Sequence, residues 1–283
     1  MTYSTIGKQR RLDRLFRDGR TIVVPVDDSL IFGPKDGLFD LPKTINTILA
    51  GQPNALLGFK HDIEYLASMK YNIPFIFNIT ASTILNSHTK KVLIASVENA
   101  LSAGADCVAA HVNFSSQYES EMLHNFSFVA NECDRLGAPL LAIAYPRSEK
   151  NGIDYNYEDI GENDIDAFTE LVSHCVRIVS QLGADIVKTY YTGSTESFRS
   201  VITAACGKPV VIAGGPEVSV EISLKRAIGA IEAGSSGVSY GRNVFNSDYI
   251  VPYLTVMRDI IFDGIALNKA LESYNNLVGG THG

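Results

Sequence analysis

Short runs of aliphatic and β-branched residues alternate along this chain with longer stretches of helical period. The runs fall at residues 21–26, 55–59, 74–79, 107–112, 140–145, 186–189, 209–213 and 237–240. They are continuous rather than alternating, as expected of strands covered on both faces. Helical periodicity fills 90–103, 121–136, 166–182, 219–233 and 249–262 between them. Three helix-to-strand joints repeat one phrase, around Gly104, Gly183 and Gly234, where glycine ends a helix in the left-handed conformation. Strand-then-helix units of this number predict a parallel sheet closed into a single (β/α)8 TIM barrel across residues 1–283, with an open doubly wound sheet as the alternative. Leu12, Leu15 and Phe16 add a short helix within residues 1–20, packed over one end of the domain with its arginines in water.

Composition narrows the class. Hydrophobic residues make up 46% of the chain and charged ones 19%, enough for a large core. A net charge of -7 offers no basic face for displacing counterions, so nucleic acid is not an expected partner. No apolar run reaches membrane-spanning length, and the basic first 20 residues lack the apolar core of a signal peptide. Cys107, Cys133, Cys175 and Cys206 are scattered, without CxxC or histidine at ligand spacing. They read as buried thiols of a cytoplasmic protein, with neither metal nor other cofactor.

In such a barrel chemistry belongs at the C-terminal ends of the strands. Lys188 ends the sixth predicted strand among apolar and hydroxyl-bearing neighbours, Ile186-Val187-Lys188-Thr189-Tyr190-Tyr191. Burial penalises its ammonium and makes a neutral amine available, the nucleophile of a Schiff-base enzyme; a lysine snorkelling from a strand end is the plainer reading. Asp27 and Asp28 end the first strand, and strand alternation turns only one of them into the mouth. Tyr145 ends the fifth strand and is a candidate proton relay. His111 ends the fourth. Lys60, ending the second beside His61 and Asp62, is the rival Schiff-base lysine. Strands seven and eight end in Ala213-Gly214-Gly215-Pro216 and Tyr240-Gly241-Arg242-Asn243. Backbone can approach a ligand closely at such glycines, and Arg242 adds a permanently charged donor fork, so these loops are the candidate phosphate site.

With these residues placed, the chain resembles the archaeal-type class I fructose-bisphosphate aldolases, within them the 2-amino-3,7-dideoxy-D-threo-hept-6-ulosonate synthase branch. The resemblance runs from about Arg11 to the last helix. It is carried by Val24-Pro25-Val26-Asp27, Gly33-Pro34, His111-Val112-Asn113, Tyr145-Pro146-Arg147, Gly183 to Thr189, Ala213 to Pro216 and Gly241-Arg242-Asn243. It implies a barrel, a homo-oligomer, metal-free chemistry, Lys188 as the iminium former, and Asp27 and Tyr145 as the proton-handling groups. The implied substrate is a phosphorylated ketose or dihydroxyacetone phosphate, with Gly214, Gly215, Gly241 and Arg242 as its anchors; His111, Asp28 and Lys60 are further candidate substrate contacts from their places at strand ends. Aspartate semialdehyde is a candidate acceptor.

Two departures stand out. Asp28 occupies a position where the family has histidine, which implies an acidic mouth that disfavours multiply anionic acceptors. The stretch 148–164 is long and acidic, with Asp154, Glu158, Asp159, Glu162 and Asp164, and reads as a lid or a solvated insertion. A related coenzyme-A-dependent thiolase shares the lysine segment but not the tyrosine after strand five. A non-catalytic, phosphometabolite-binding barrel is the third reading.

Overall fold

A computed structural model describes residues 2–86, 88–150 and 153–280; for Asp36, Ile153, Glu158 and Asp159 it describes the backbone alone. Eight strands form a closed, all-parallel barrel in sequential order. They are β1 (Thr21–Pro25), β2 (Ala55–Gly58), β3 (Phe75–Asn78), β4 (Cys107–Phe114), β5 (Leu140–Pro146), β6 (Ile186–Thr189), β7 (Val210–Ala213) and β8 (Gly237–Ser239). Closure is made by β1 on β8, with Val23 opposite Ser239. The three joint glycines take φ of +91, +107 and +107 degrees, as their position after helices requires.

Period-two alternation sorts each strand's side chains between two cores. One set packs under the outer helices, including Val24, Leu56, Ala142, Val187 and Ile212. The other fills the barrel, with Val23, Leu57, Ile76, Cys107, Leu141, Ile143, Ile186 and Val211. Lys188 follows Ile186 by two residues, so the same alternation carries it inside, one layer higher. At the other end Leu15, 1% exposed, joins the interior cluster from the helix Tyr3–Leu15. That helix is more firmly docked than a water-facing arginine stripe implies. Lys8 pairs with Asp134 and Asp185, and Arg14 with buried Asp106. Closing the bottom leaves the C-terminal end as the open mouth.

Two regions differ from the sequence expectation. Residues 90–103 were expected to form one helix, but Val92–Leu93 pairs antiparallel with Thr80–Ala81, and helix occupies only Val97–Ser102. The β-branched and aliphatic run through Ile94 favours extension. Ser96 then starts the helix by accepting the N–H of Asn99. Cys206 is exposed, unlike the other three cysteines, because it sits in the turn after the helix Thr195–Ala204.

Candidate active site

Lys188 lies 7% exposed near the top of the barrel interior, between Ile143 of β5 and Val211 of β7. Burial pushes its ammonium below the ordinary lysine range, Asp27 and Asp28 pull it back up, and Arg242 lowers it further. The amine therefore sits among charges of both signs, in the cavity that collects the other candidates. Asp27, Asp28, His111, Tyr145, Gly214, Gly215, Gly241 and Arg242 all line it.

Both carboxylates reach this cavity, correcting the expectation that only one would. Strand geometry ends at Pro25; Asp27 is already helical, and Asp28 opens the helix Asp28–Phe32. Once the chain leaves the strand, neighbouring side chains are no longer forced to opposite faces. Asp27 is fixed by Asn78, whose side-chain N–H donates to Oδ2 at 3.0 Å. Asn78 is itself oriented, because its Oδ1 accepts from the backbone and hydroxyl of Thr80. Burial and the Asp27 charge raise the pKa of Asp28, while Arg242, 3.6 Å away, opposes them.

Tyr145 is held on two sides. Its ring stacks on Tyr190 at 4.3 Å and 8 degrees, and meets His111 edge-on at 5.1 Å. Burial raises its phenol well above the usual range, so the hydroxyl keeps its proton and is equipped to donate it. His111 is held neutral by burial and by nearby cations, and its Nε2 is buried without a protein partner.

The two glycine loops are bound to one another. Asn243 donates to the Gly214 carbonyl at 3.1 Å and accepts from the Val218 N–H at 2.9 Å. A Cβ on Gly214 would meet the Asn243 amide nitrogen at 2.9 Å and the Tyr240 ring at 3.2 Å, so a side chain there would push Asn243 out of its place. Gly215 follows with φ of +68 degrees.

Lys60 stands apart from this group. Asp62 accepts the Phe59 N–H at 2.7 Å, starting a helix immediately after β2 and turning Lys60 outward. Its side chain is 78% exposed, faces Glu64 at 3.8 Å, and does not line the cavity.

Sequence reasoning missed Lys91, His88, Asn78 and Arg147 as individual site residues. Lys91 and His88 enter through the connection after β3, Lys91 within the segment expected to be helical and His88 just before it. Lys91, Arg147 and Arg242 line the cavity beside Asp27 and Asp28, so carboxylates do not line it alone, while burial and the nearby cations hold His88 neutral. The acidic stretch after β5 is in part structural. Arg147 grips Asp154 through its Nε and a terminal nitrogen, the latter at 2.6 Å. Ser148–Lys150 pairs with Ile153–Tyr155 in a hairpin, and Asp164 caps the helix Ile165–Gln181. The Glu158 and Asp159 side chains lie outside the described residues. Among the described residues no cluster of three or more potential metal-ligating His, Cys, Asp or Glu side chains occurs, and no helix is long and apolar enough to cross a membrane.

Comparisons with known proteins agree with this fold. A family model described as DeoC/LacD family aldolase matches residues 21–247. A 2-amino-3,7-dideoxy-D-threo-hept-6-ulosonate synthase of Halobacterium salinarum is 37% identical over 240 residues, 84% of this chain and 85% of its own. A 2-amino-4,5-dihydroxy-6-oxo-7-(phosphonooxy)heptanoate synthase of Streptomyces griseus is 34% identical, covering 85% of each chain. Among solved structures, a Schiff-base-forming fructose-1,6-bisphosphate aldolase superposes with a TM-score of 0.77 at 24% identity, over 90% of this chain and 100% of its own.

Proposed function

Because the chain belongs to the DeoC/LacD aldolase family, we propose that it is a lysine Schiff-base aldolase or transaldolase joining a ketone donor to an amino-acid aldehyde. The observation that carries this reading is Lys188 itself, a buried amine whose proton is destabilised, beside two carboxylates and a protonated phenol.

The chemistry follows from these groups. The neutral Lys188 amine adds to the donor carbonyl, and Asp27 assists loss of water to leave a cationic iminium. The iminium withdraws electrons as Asp27 takes a proton from the adjacent carbon, or, with a ketose donor, as the C–C bond breaks and its aldehyde fragment leaves, giving an enamine. That carbon attacks the acceptor aldehyde, Tyr145 delivers a proton to the new alkoxide, and hydrolysis frees the lysine. Gly214, Gly215, Gly241 and Arg242 anchor a donor phosphate and use that remote binding to place the carbonyl.

The relatives' names support a choice of substrate. Both synthases are named for products with a carboxylate at carbon 1, an amine at carbon 2 and a ketone at carbon 6. An aldol bond joins the carbons α and β to the ketone, here carbons 5 and 4. Disconnection leaves a three-carbon ketone and aspartate semialdehyde. The Streptomyces griseus name keeps a phosphonooxy group at carbon 7 and fits dihydroxyacetone phosphate as donor, whereas the Halobacterium salinarum name is 7-deoxy and fits a phosphorylated ketose that delivers an unphosphorylated three-carbon unit. Neither the coenzyme-A-dependent nor the non-catalytic reading finds support among these relatives. We also infer a cytoplasmic homo-oligomer; exposed Leu85, Val92, Leu93 and Ile94 on the β3–β4 connection support the assembly.

Borohydride reduction in the presence of dihydroxyacetone phosphate tests the centre. Peptide mass spectrometry is expected to find the reduced adduct on Lys188, and Lys188→Met to abolish it. An adduct on another lysine, or none with phosphate bound, would sink this reading.

A further inference from the structure

Lysine is rarely buried without a carboxylate, and Lys91 is such a case. Its side chain is 2% exposed, and among the described residues no carboxylate reaches salt-bridge distance. Its amine donates to Ser82 Oγ at 2.6 Å and lies 3.5 Å from His88 Nδ1. Burial is the main cause that pushes its pKa down to about 7. Arg147 adds to that shift, while Asp27, Asp154 and Asp28 oppose it. His111, in the same cavity, presents the buried, unpartnered Nε2 described above. The imidazole Nε2 lacks a protein partner, and the Lys91 amine has neutral partners but, among the described residues, no carboxylate within salt-bridge distance.

Their place in the barrel gives the pair a direction. The phosphate loops follow β7 and β8, whereas His111 belongs to β4 and Lys91 to the connection between β3 and β4. In a sequentially ordered eight-stranded barrel these are opposite sides of the mouth. Lys188 on β6 and Asp27 after β1 lie on the two arcs between them. A chain with an anion at each end and its reacting carbons in the middle matches that layout.

We propose that Lys91, with His111 Nε2, forms the subsite that holds the acceptor's carboxylate, making Lys91 the residue that selects an anionic aldehyde. This rests on Lys188 being the Schiff-base lysine. The acceptor carboxylate supplies the missing anion, and a charge-assisted hydrogen bond to it aims the aldehyde carbon back toward Lys188.

The test compares wild type, Lys91→Met and Lys91→Arg with four acceptors: aspartate semialdehyde, succinic semialdehyde, glyceraldehyde 3-phosphate and uncharged butanal. For Lys91→Met the KM of both semialdehydes is expected to rise about tenfold to a hundredfold, with kcat changed far less. The kcat/KM for butanal is expected to stay within about twofold, and Lys91→Arg to recover much of the semialdehyde affinity. Equal losses with butanal, or unchanged KM for the semialdehydes, would overturn the subsite. A larger loss with glyceraldehyde 3-phosphate than with the semialdehydes would overturn its assignment to a carboxylate. Borohydride trapping separates the two levels of inference. No adduct in wild type removes the Schiff-base reading and this subsite with it. An adduct present in wild type but lost in Lys91→Met would show that Lys91 serves the donor or the fold, and would overturn the subsite alone.

Discussion

Asn78 donates its side-chain N–H to Asp27 Oδ2 at 3.0 Å, tying the end of β3 to the turn after β1. The bond fixes the direction of the carboxylate, and the amide is itself held because its oxygen is committed to Thr80. Asn78→Ala frees Asp27 and leaves the buried Thr80 N–H short of an acceptor. We expect kcat to fall by about tenfold and stability by ~1–3 kcal/mol. Asn78→Asp places a second carboxylate against Asp27 and is expected to lose more activity than the alanine variant. Steady-state kinetics with a denaturant titration checks both.

Tyr145→Phe removes the proposed proton donor but keeps the ring that packs on Tyr190 and His111. Activity is expected to drop by about 10²–10⁴-fold, the range for loss of a positioned acid. The borohydride adduct on Lys188 should persist, because Tyr145 acts after the iminium in the proposed sequence. Loss of trapping in this variant would move Tyr145 to an earlier step.

The barrel was legible because its signals are local and repeated. Each strand is a short, doubly covered apolar run, and Gly104, Gly183 and Gly234 punctuate helix ends. Lys188 was legible because the strand carries it directly into the interior. The errors came where the chain leaves a strand. Asp27 and Asp28 were assigned opposite faces by an alternation that no longer applies after Pro25, and Lys60 was followed inward although the helix beginning after Phe59 turns it out. Lys91 went unnoticed because residues 90–103 satisfy a helical period. The antiparallel pairing that keeps Val92–Leu93 extended is a contact between separate segments, made at Thr80–Ala81.

Asp28 pulls on two site residues at once. It faces Arg242 at 3.6 Å and raises the pKa of Lys188. Asp28→Asn removes a competitor for the guanidinium, so the KM for a phosphorylated donor is expected to fall several-fold. It also withdraws a charge that favours the Lys188 ammonium. The acidic limb of the pH–rate profile, where activity rises as Lys188 loses its proton, should then move to lower pH. A limb moving upward would contradict this electrostatic account.

Lys91 also makes stability depend on pH, in a direction fixed by its burial. Its pKa is about 7 in the folded chain against an ordinary 10.5. Between these values the unfolded chain holds a proton that the folded one lacks, so this group makes stability rise with pH across that window. Its destabilising effect is fully present below about pH 7 and fades toward about pH 10.5, by ~1.4 kcal/mol for each pH unit crossed. Lys91→Met abolishes the titration but loses the bond to Ser82 Oγ, worth about 1 kcal/mol at any pH. The stability of the variant minus that of wild type is therefore expected to be most positive near about pH 6 and to decline steadily toward about pH 9. Taking this difference removes the other titrating groups that both proteins share. Urea titrations across that range decide the matter, and a difference that is flat or grows with pH would show that Lys91 keeps its proton in the folded protein.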